Sequence, residues 1–369
     1  MTSLSLEHKL GQMLFIGIPG TTVDTETQKL LKSVQPGGII LFARNIEEPQ
    51  QVAELNAEIR RQLKVPPLIS IDQEGGPVDR LKKICPPMAA AHKLRLADDA
   101  RLANEQGAIT AELLRLLGFN MNFAPVLDLA VHDDADNALR HRCFGARPAK
   151  IIRLAGAYLE GLQNGSVIGC GKHFPGLGDS VVDSHKELPV VDRSEEQLMA
   201  EDLQVYVDLS AKLNSQLQVV MVAHAFYRAF EGANVRTRVP ASLSPRIVTD
   251  LLRSRLDFHG MAIADDLEMG AITTQMSVGD AAVACVEAGE DMVLICNTPA
   301  KVYEAAEALI RAAYDGRITP RRIEASINRI ARIKSMACSP LTYEVAHFQR
   351  LCDRIADFNY RLDAYLSRL

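Results

Sequence analysis

Eight short apolar runs alternate with longer segments of helical spacing, and this pattern predicts an α/β fold, a (β/α)8 TIM-type barrel. The runs are continuously apolar and rich in β-branched residues, as expected for parallel strands covered on both faces. A doubly wound open sheet is the alternative, but no glycine-rich phosphate-binding pattern follows the first run. We therefore expect a closed barrel.

The predicted strands are short and spread along most of the chain. They are Gln12–Ile18, Gly38–Phe42, Pro67–Asp72, Asn120–Leu127, Val167–His173, Gln218–His224, Met261–Asp265 and Asp291–Cys296.

Three segments between the strands carry clear helix signals. The first signal is an apolar stripe formed by Val52, Leu55, Ile59 and Leu63. A second helix runs from Leu102 to Leu117 and ends at Gly118, a C-cap residue. At Thr319-Pro320 an N-cap precedes a proline in the first turn. We expect four isoleucine side chains of that helix to face the core: Ile323, Ile327, Ile330 and Ile333.

The composition excludes several classes of function. Of the 369 residues 47% are hydrophobic and 24% charged, as in soluble proteins with a large core. The net charge of -5 gives no field that attracts nucleic acid or an anionic membrane. No stretch approaches the roughly 18 apolar residues of a membrane span, and the N-terminus lacks a secretory signal pattern. Seven cysteines without a CxxC pair indicate reduced thiols used in packing, hence a cytoplasmic protein.

The last segment differs in character from the barrel pattern. We expect residues 1–336 to form the barrel and residues 337–369 a helical extension. An amphipathic stripe is formed by Val345, Phe348, Cys352, Ile355, Phe358, Leu362 and Tyr365. This helix packs on the outside of the barrel, with a dimer contact as the alternative, and we expect a monomer.

Polar residues at the carboxyl ends of the strands are candidates for an active site, because barrels of this kind place their sites there. The absence of Trp indicates a small pocket and not an extended carbohydrate-stacking cleft. The candidates are Asp72 and Arg80 after the third strand, Arg140 and Arg142 after the fourth, Lys172 and His173 on the fifth, His224 on the sixth, and Asp265 and Asp266 on the seventh.

Each candidate also has a structural interpretation. An aspartate can cap the next helix, Arg80 can be a surface charge, and His224 can be a satisfied core histidine. Lys172 and His173 can be a buried pair, and we interpret Asp128 as a carboxylate that orders its loop. Charged groups from five strands aimed at one rim, however, cost too much desolvation to serve structure alone.

Metal-assisted hydrolysis is one chemistry that fits this rim, with His173, His185, His224 and Asp265 as ligands. Barrel metallohydrolases usually carry a His-x-His pair on the first strand, and "LFIGIPG" has no histidine. Lys172 would also place a competing cation beside the metal. We therefore expect no metal and no cofactor.

Glycoside cleavage is the second chemistry, and it needs a carboxylate on one face of the sugar and a proton donor on the other. Asp265, at a strand end, is held stiffly enough to act as the nucleophile. A histidine that is hydrogen-bonded to an aspartate can act as the donor, because the carboxylate orients the ring and supports its charged form. In "DSVVDSH" the pair Asp183 and His185 can meet this need, although in a loop the spacing alone proves nothing.

The motifs "IDQEGG", "FAPVLD", "KHFPGxG", "DSHxxLP" and "DDLEMGA", in this order, resemble glycoside hydrolase family 3. Within that family the chain is similar to the single-domain bacterial β-N-acetylglucosaminidases of peptidoglycan recycling, and the resemblance runs from about Leu10 to about Ile333. It implies a (β/α)8 barrel and retaining hydrolysis through a glycosyl-enzyme intermediate. The implied substrates are muropeptides in which GlcNAc is β-1,4-linked to 1,6-anhydro-N-acetylmuramic acid, with or without a stem peptide.

The resemblance also implies a role for each matching residue. Asp265 is implied as the nucleophile, and His185 with Asp183 as the acid/base pair. Implied sugar-binding residues are Asp72, Arg80, Arg142, Lys172 and His173.

Two positions depart from the family pattern: Leu177 stands where the family often has His in "PGHG", and Pro77 where it often has Arg after "EGG". Both put the exact substrate in doubt more than the activity. Two alternative functions also remain. One is a phosphorylase, because a histidine donor repels incoming phosphate less than a carboxylate would. The other is a non-catalytic muropeptide sensor, although a sensor is expected to lose the nucleophile or the donor.

Overall fold

A computed structural model describes residues 4–131, 138–180, 182–184, 186–211, 217–231 and 238–369. It confirms the predicted barrel. The strands of the central sheet are β1 (Leu14–Gly17), β2 (Gly38–Leu41), β3 (Leu68–Ile71), β4 (Met121–Asn122), β5 (Ile168–Gly169 and Gly171–Phe174), β6 (Val219–Val222), β7 (Met261–Asp266) and β8 (Met292–Ile295).

The pairing of these strands closes the sheet. Each strand pairs in parallel with the next one along the chain, and β1 pairs with β8. The first segment of β5 pairs with β4 and the second with β6, and only Cys170 separates the two segments. The two ends of the hydrogen-bonded ladder are therefore consecutive parts of one chain segment.

Some boundaries differ from the predicted ones for local reasons. The first strand starts at Leu14 and not at Gln12, because Gln12 is the last residue of a helix. β4 covers only Met121–Asn122 of the predicted Asn120–Leu127, and a continuation beyond Ala124 would meet Pro125, which lacks the N–H that a ladder requires. Two small pairs lie outside the barrel sheet: Gln73–Gly75 with Val78–Asp79, antiparallel, and Val190–Val191 with Phe226–Tyr227, parallel.

Helices surround the strands. They are α1 (Leu6–Gln12), α2 (Thr25–Val34), α3 (Pro49–Gln62), α4 (Ala91–Ala97), α5 (Ala100–Leu116), α6 (Pro148–Asn164), α7 (Glu195–Ala200), α8 (Asp202–Ser210), α9 (Arg228–Glu231), α10 (Gly270–Thr273), α11 (Val278–Ala288), α12 (Pro299–Tyr314), α13 (Pro320–Met336) and α14 (Val345–Leu366). 3₁₀ turns occur at Ala43–Asn45 and Ala241–Leu243, and Arg246–Arg255 is a π-helix.

The helix signals in the sequence correspond to helices in the structure. The stripe on α3 is buried, and α5 is followed by Gly118 with a φ of +89°, a conformation that favours glycine. The Thr319 hydroxyl accepts a hydrogen bond from the Arg322 N–H at 3.2 Å and so caps α13.

The C-terminal helix α14 packs against α4 and α5 of the same chain. Its buried residues include Phe348, Ile355 and Phe358, whereas Val345 and Tyr365, predicted on the same stripe, are exposed. The Lys93 ammonium group pairs with the Asp363 carboxylate at 2.6 Å across the contact. The apolar face of α14 is thus covered within the chain, while the division at residue 336 stays a prediction.

The core consists of aliphatic side chains from the strands and the inward faces of the helices. Six of the seven cysteines are buried in it, as predicted for packing groups, and Cys338 is exposed. In the described part of the chain, no helix combines the length and the apolar character needed to cross a bilayer.

Candidate active site

The strand ends surround a cavity of about 330 Å³. Its walls include all five predicted sugar-binding residues and the predicted nucleophile: Asp72, Arg80, Arg142, Lys172, His173 and Asp265. Its volume lies near the lower end of the range of about 300–1,000 Å³ typical of small-molecule pockets. Side chains from well-separated parts of the sequence therefore meet in one small pocket.

A buried ion cluster forms one wall of this cavity. The Lys172 ammonium group lies 2.8 Å from Asp72 Oδ1 and 2.7 Å from Glu74 Oε1. The Arg142 guanidinium binds both carboxylate oxygens of Glu74, at 2.8 and 2.9 Å. Arg80 Nη2 contacts Asp72 Oδ2 at 3.3 Å. The predicted residues are thus joined through a carboxylate, Glu74, that the sequence analysis did not single out.

The chain forms this wall with a tight hairpin after β3. Gly75 and Gly76 have φ values of +89° and +59°, which the turn requires and which other residues rarely adopt. The turn brings Arg80 back to Asp72. Pro77, one of the two residues that differ from the family pattern, lies exposed at the tip of the turn. Asp72 and Glu74 are two residues apart along an extended segment, so their carboxylates can point to one side and share Lys172.

Opposite charges set the protonation states in the cluster. Burial alone would raise the pKa of Glu74, but Arg142 and Lys172 outweigh it and hold that pKa below its ordinary value. Burial likewise acts to lower the pKa of Lys172, while Asp72 and Glu74 outweigh it, so that this pKa is raised. Both groups are therefore charged at neutral pH.

A fully buried carboxylate, Asp128, orients His173. Asp128 Oδ2 lies 2.7 Å from His173 Nδ1 and accepts the His173 backbone N–H, while Oδ1 accepts the Leu177 N–H at 2.6 Å. Because a carboxylate only accepts, Nδ1 carries a proton and Nε2 is the nitrogen available to a ligand. Asp128 orders its loop as predicted, and it also holds the His173 ring. Leu177, the other departure from the family pattern, lines the cavity.

Asp265 lies in β7 and lines the cavity. Its Oδ1 accepts the Asp266 backbone N–H at 2.8 Å. Burial tends to raise the pKa of Asp265, but the nearby His173 ring, the Asp266 N–H and the Lys172 ammonium group outweigh it and leave the pKa lowered. Asp265 is therefore an ionised carboxylate on a rigid strand, the state that a nucleophile requires.

Asp266 has a different environment. Its Oδ1 accepts the backbone N–H groups of Glu268 and Cys296, at 3.1 and 3.2 Å, and burial raises its pKa to about 6. Neither aspartate is the N-cap of α10, which is Met269. The capping interpretation of these two residues was therefore wrong for α10.

The loop that carries the predicted acid/base pair lies beside the nucleophile strand. Ser184 lines the cavity, and its carbonyl oxygen accepts the N–H of Ala271 in α10 at 3.3 Å. Asp183 is half-buried, and its carbonyl oxygen accepts the Lys186 N–H at 3.0 Å. His185 lies outside the described residues, so its predicted role remains a prediction.

The ring nitrogens of His224 both have partners. Nδ1 lies 2.7 Å from the Ser242 hydroxyl, and Nε2 lies 3.1 Å from the backbone carbonyl oxygen of Asp266. His224 is thus a satisfied buried histidine, one of the two interpretations that its position allowed. Among the described residues, no three His, Cys, Asp or Glu side chains are arranged to hold a metal ion.

A closed barrel with a small polar pocket at the strand ends, holding an ionised carboxylate opposite a set of cationic and carboxylate groups, is typical of the barrel glycoside hydrolases. The family model described as the glycosyl hydrolase family 3 N terminal domain matches residues 5–333. The chain belongs to glycosyl hydrolase family 3.

Individual relatives agree with this assignment. A protein named Beta-hexosaminidase from Idiomarina loihiensis is 36% identical over 299 residues, which cover 80% of this chain and 87% of the relative. Another of that name, from Bordetella parapertussis, is 33% identical over 89% of each chain. The solved structure of a glycoside hydrolase family 3 beta-N-acetylglucosaminidase from Paenibacillus sp. str. FPU-7 is 35% identical with a TM-score of 0.89, covering 96% of this chain and 69% of that one.

Proposed function

We propose that this glycoside hydrolase is a retaining exo-β-N-acetylglucosaminidase that removes terminal β-linked GlcNAc from muropeptides in the cytoplasm. The observation that carries the proposal is Asp265, an ionised carboxylate held on a strand and facing a pocket lined by Asp72, Arg80 and Lys172. The relatives named Beta-hexosaminidase and the beta-N-acetylglucosaminidase structure support the choice of sugar. The small cavity supports exo cleavage, because it suits one terminal sugar better than an extended chain.

The residues that line the pocket have separate roles in this proposal. Asp72 and Arg80 bind vicinal hydroxyl groups of the GlcNAc ring, Arg142 and Lys172 donate further hydrogen bonds, and His173 contacts the sugar through Nε2. The ion pairs within the wall hold these donors before the sugar arrives, so little ordering is needed on binding. Asp265 then attacks the anomeric carbon and forms the glycosyl-enzyme intermediate.

His185 supplies and removes the proton in this scheme. With Asp183 orienting its ring, His185 protonates the leaving oxygen of the aglycone while Asp265 attacks. It then deprotonates a water molecule, which releases GlcNAc with retained configuration. The position of Ser184 at the cavity, next in the chain to His185, supports this assignment.

Product analysis on a defined mixture of muropeptides tests the substrate. Release of β-GlcNAc and 1,6-anhydro-N-acetylmuramoyl peptide, with retained anomeric configuration in the initial product, is expected. Formation of GlcNAc-1-phosphate when phosphate is present would instead support the phosphorylase. Tight GlcNAc binding without turnover of any β-GlcNAc glycoside would support the sensor.

The proton donor has its own test. His185→Ala is expected to impair substrates with poor leaving groups far more than activated aryl glycosides, which need less protonation. Equal losses on both substrate types would contradict the acid role of His185. Asp183→Asn should show the same pattern with a smaller loss.

A further inference from the structure

We propose that His224 is a positioning residue for the nucleophile: it holds the backbone of Asp266 so that the Asp266 N–H stays on the Asp265 carboxylate. The inference rests on the proposed nucleophilic role of Asp265. It adds a residue that the family motifs quoted above do not include.

The hydrogen bonds of His224 define its tautomer. A backbone carbonyl oxygen only accepts, so Nε2, which lies 3.1 Å from the Asp266 oxygen, must carry the proton. In the neutral ring Nδ1 then accepts the hydroxyl proton of Ser242, 2.7 Å away. Burial opposes a charge on this ring and lowers the pKa of His224. His224 is therefore a neutral, fixed donor to the backbone.

Both the backbone and the carboxylate of Asp266 are fixed by hydrogen bonds. Its N–H donates to Asp265, and its carbonyl oxygen accepts from His224 and from the Met269 N–H at 3.0 Å. Its carboxylate accepts two further N–H groups, from Glu268 and from Cys296 at the end of β8. These contacts restrain the φ and ψ angles of Asp266, and so they aim its N–H at the Asp265 carboxylate.

His224 acts from outside the pocket. It is 1% exposed and is not among the residues that line the cavity, so we expect no direct contact with the sugar. A residue that only orients the nucleophile affects the reacting geometry more than ground-state binding, and misplacement by about 1 Å can cost on the order of 100-fold in rate. Loss of His224 is therefore expected to lower kcat with little change in KM.

Two substitutions of His224 distinguish loss of the Nε2 hydrogen-bond donor from loss of the volume of the ring. The side-chain amide of Gln can reach the place of Nε2, whereas the amide of Asn reaches only the place of Nδ1. His224→Asn is expected to lower kcat for an activated aryl β-GlcNAc glycoside by about 10- to 100-fold, with KM within about twofold of wild type. His224→Gln should recover most of the lost kcat. Thermal unfolding of each variant reports whether the fold is intact.

Several results with these variants would contradict the positioning role of His224. Unchanged kcat in His224→Asn, equal losses in His224→Asn and His224→Gln, or a loss confined to KM would each overturn the inference. If His224→Asn does not fold, Ser242→Ala replaces it, because that change frees Nδ1 and removes the restraint on the tautomer. A fall in kcat at constant KM is then expected, and unchanged kcat would overturn the proposal.

A parallel Asp265→Ala variant distinguishes failure of this inference from failure of the proposed function. If Asp265→Ala retains activity, the proposed nucleophile is wrong. If Asp265→Ala is inactive and the His224 variants behave like wild type, only the positioning role is wrong.

Discussion

Glu74 and Lys172 form a buried ion pair in the wall of the pocket, with 2.7 Å between Oε1 and Nζ and side chains that are 5% and 4% exposed. Asp72, Arg142 and Arg80 complete the cluster, so that two carboxylates face three cations. The predicted sugar-binding groups are therefore held by one another and by a carboxylate that belongs to none of the predicted roles.

Glu74→Gln should reveal this dependence. The change leaves Arg142 and Lys172 with less compensating charge, and we expect a loss of about 3 kcal/mol in the free energy of unfolding. The KM for a β-GlcNAc glycoside should rise at the same time, because both donors lose their restraint. Urea denaturation and steady-state kinetics measure the two effects. Glu26→Gln, which removes a pair with Lys29 at the surface, is the control and should leave the free energy of unfolding close to that of the wild type.

Asp128→Asn tests how His173 is oriented. An amide in this place can no longer accept from His173 Nδ1 and Leu177 N–H through two anionic oxygens, so the ring is free to turn or change tautomer. We expect kcat/KM for the same glycoside to fall at least about 10-fold. Asp192→Asn, at an exposed pair with Arg228, serves as the control. Wild-type kinetics in Asp128→Asn would show that His173 needs no partner.

The buried carboxyl group of Glu290 should make the free energy of unfolding depend on pH. It is buried, neither carboxylate oxygen has a hydrogen-bond partner among the described residues, and burial raises its pKa well above the ordinary value. A carboxyl group with a raised folded-state pKa contributes stability below its unfolded pKa, and that contribution is lost as the pH rises toward the folded pKa. The wild type should therefore lose stability as the pH rises above the ordinary glutamate pKa of about 4.3.

Glu290→Gln removes this titration. We expect the variant to become more stable relative to wild type as the pH rises, measured as urea unfolding at pH 5 and at pH 8. Glu287→Gln, at a surface pair with Arg317, is the control for the loss of a charge. A difference between wild type and Glu290→Gln that does not change with pH would contradict a protonated Glu290 in the native state.

Phe358→Ala tests whether the contact of α14 with α4 and α5 stabilises the barrel. Phe358 is 1% exposed, and its truncation should cost about 3–5 kcal/mol in the free energy of unfolding. Tyr360 lies on the opposite, solvent-facing side of the same helix and is 75% exposed. Tyr360→Ala should change the free energy of unfolding by no more than about 0.5 kcal/mol. Chemical denaturation compares the two, and equal effects would mean that α14 unfolds separately from the barrel.

The sequence was most informative where the fold buries strands on both faces. β2 and β3 lie inside the predicted ranges, because a covered parallel strand needs an unbroken apolar run. The same reasoning located Asp72 and Asp265, since polar residues that follow such runs must lie at the rim of the barrel.

The missed contacts are those that depend on distances between loops. Glu74 lies in a hairpin without a periodic pattern, and the only signal for it was its two-residue spacing from Asp72. The contact of Asp128 with His173 joins residues 45 positions apart, one in the loop after β4 and the other in β5, and no pattern in the sequence encodes that distance. The link from His224 to Asp266 likewise depends on how β6 and β7 are placed.

The uneven exposure of the cysteines has a practical consequence. Because six thiols are buried, a maleimide dye added to the native protein should react at Cys338 alone, in the segment between α13 and α14. That position is not part of the cavity lining, so the label leaves the pocket open. The native enzyme thus offers one attachment point for fluorescence or surface immobilisation, without prior removal of any other cysteine.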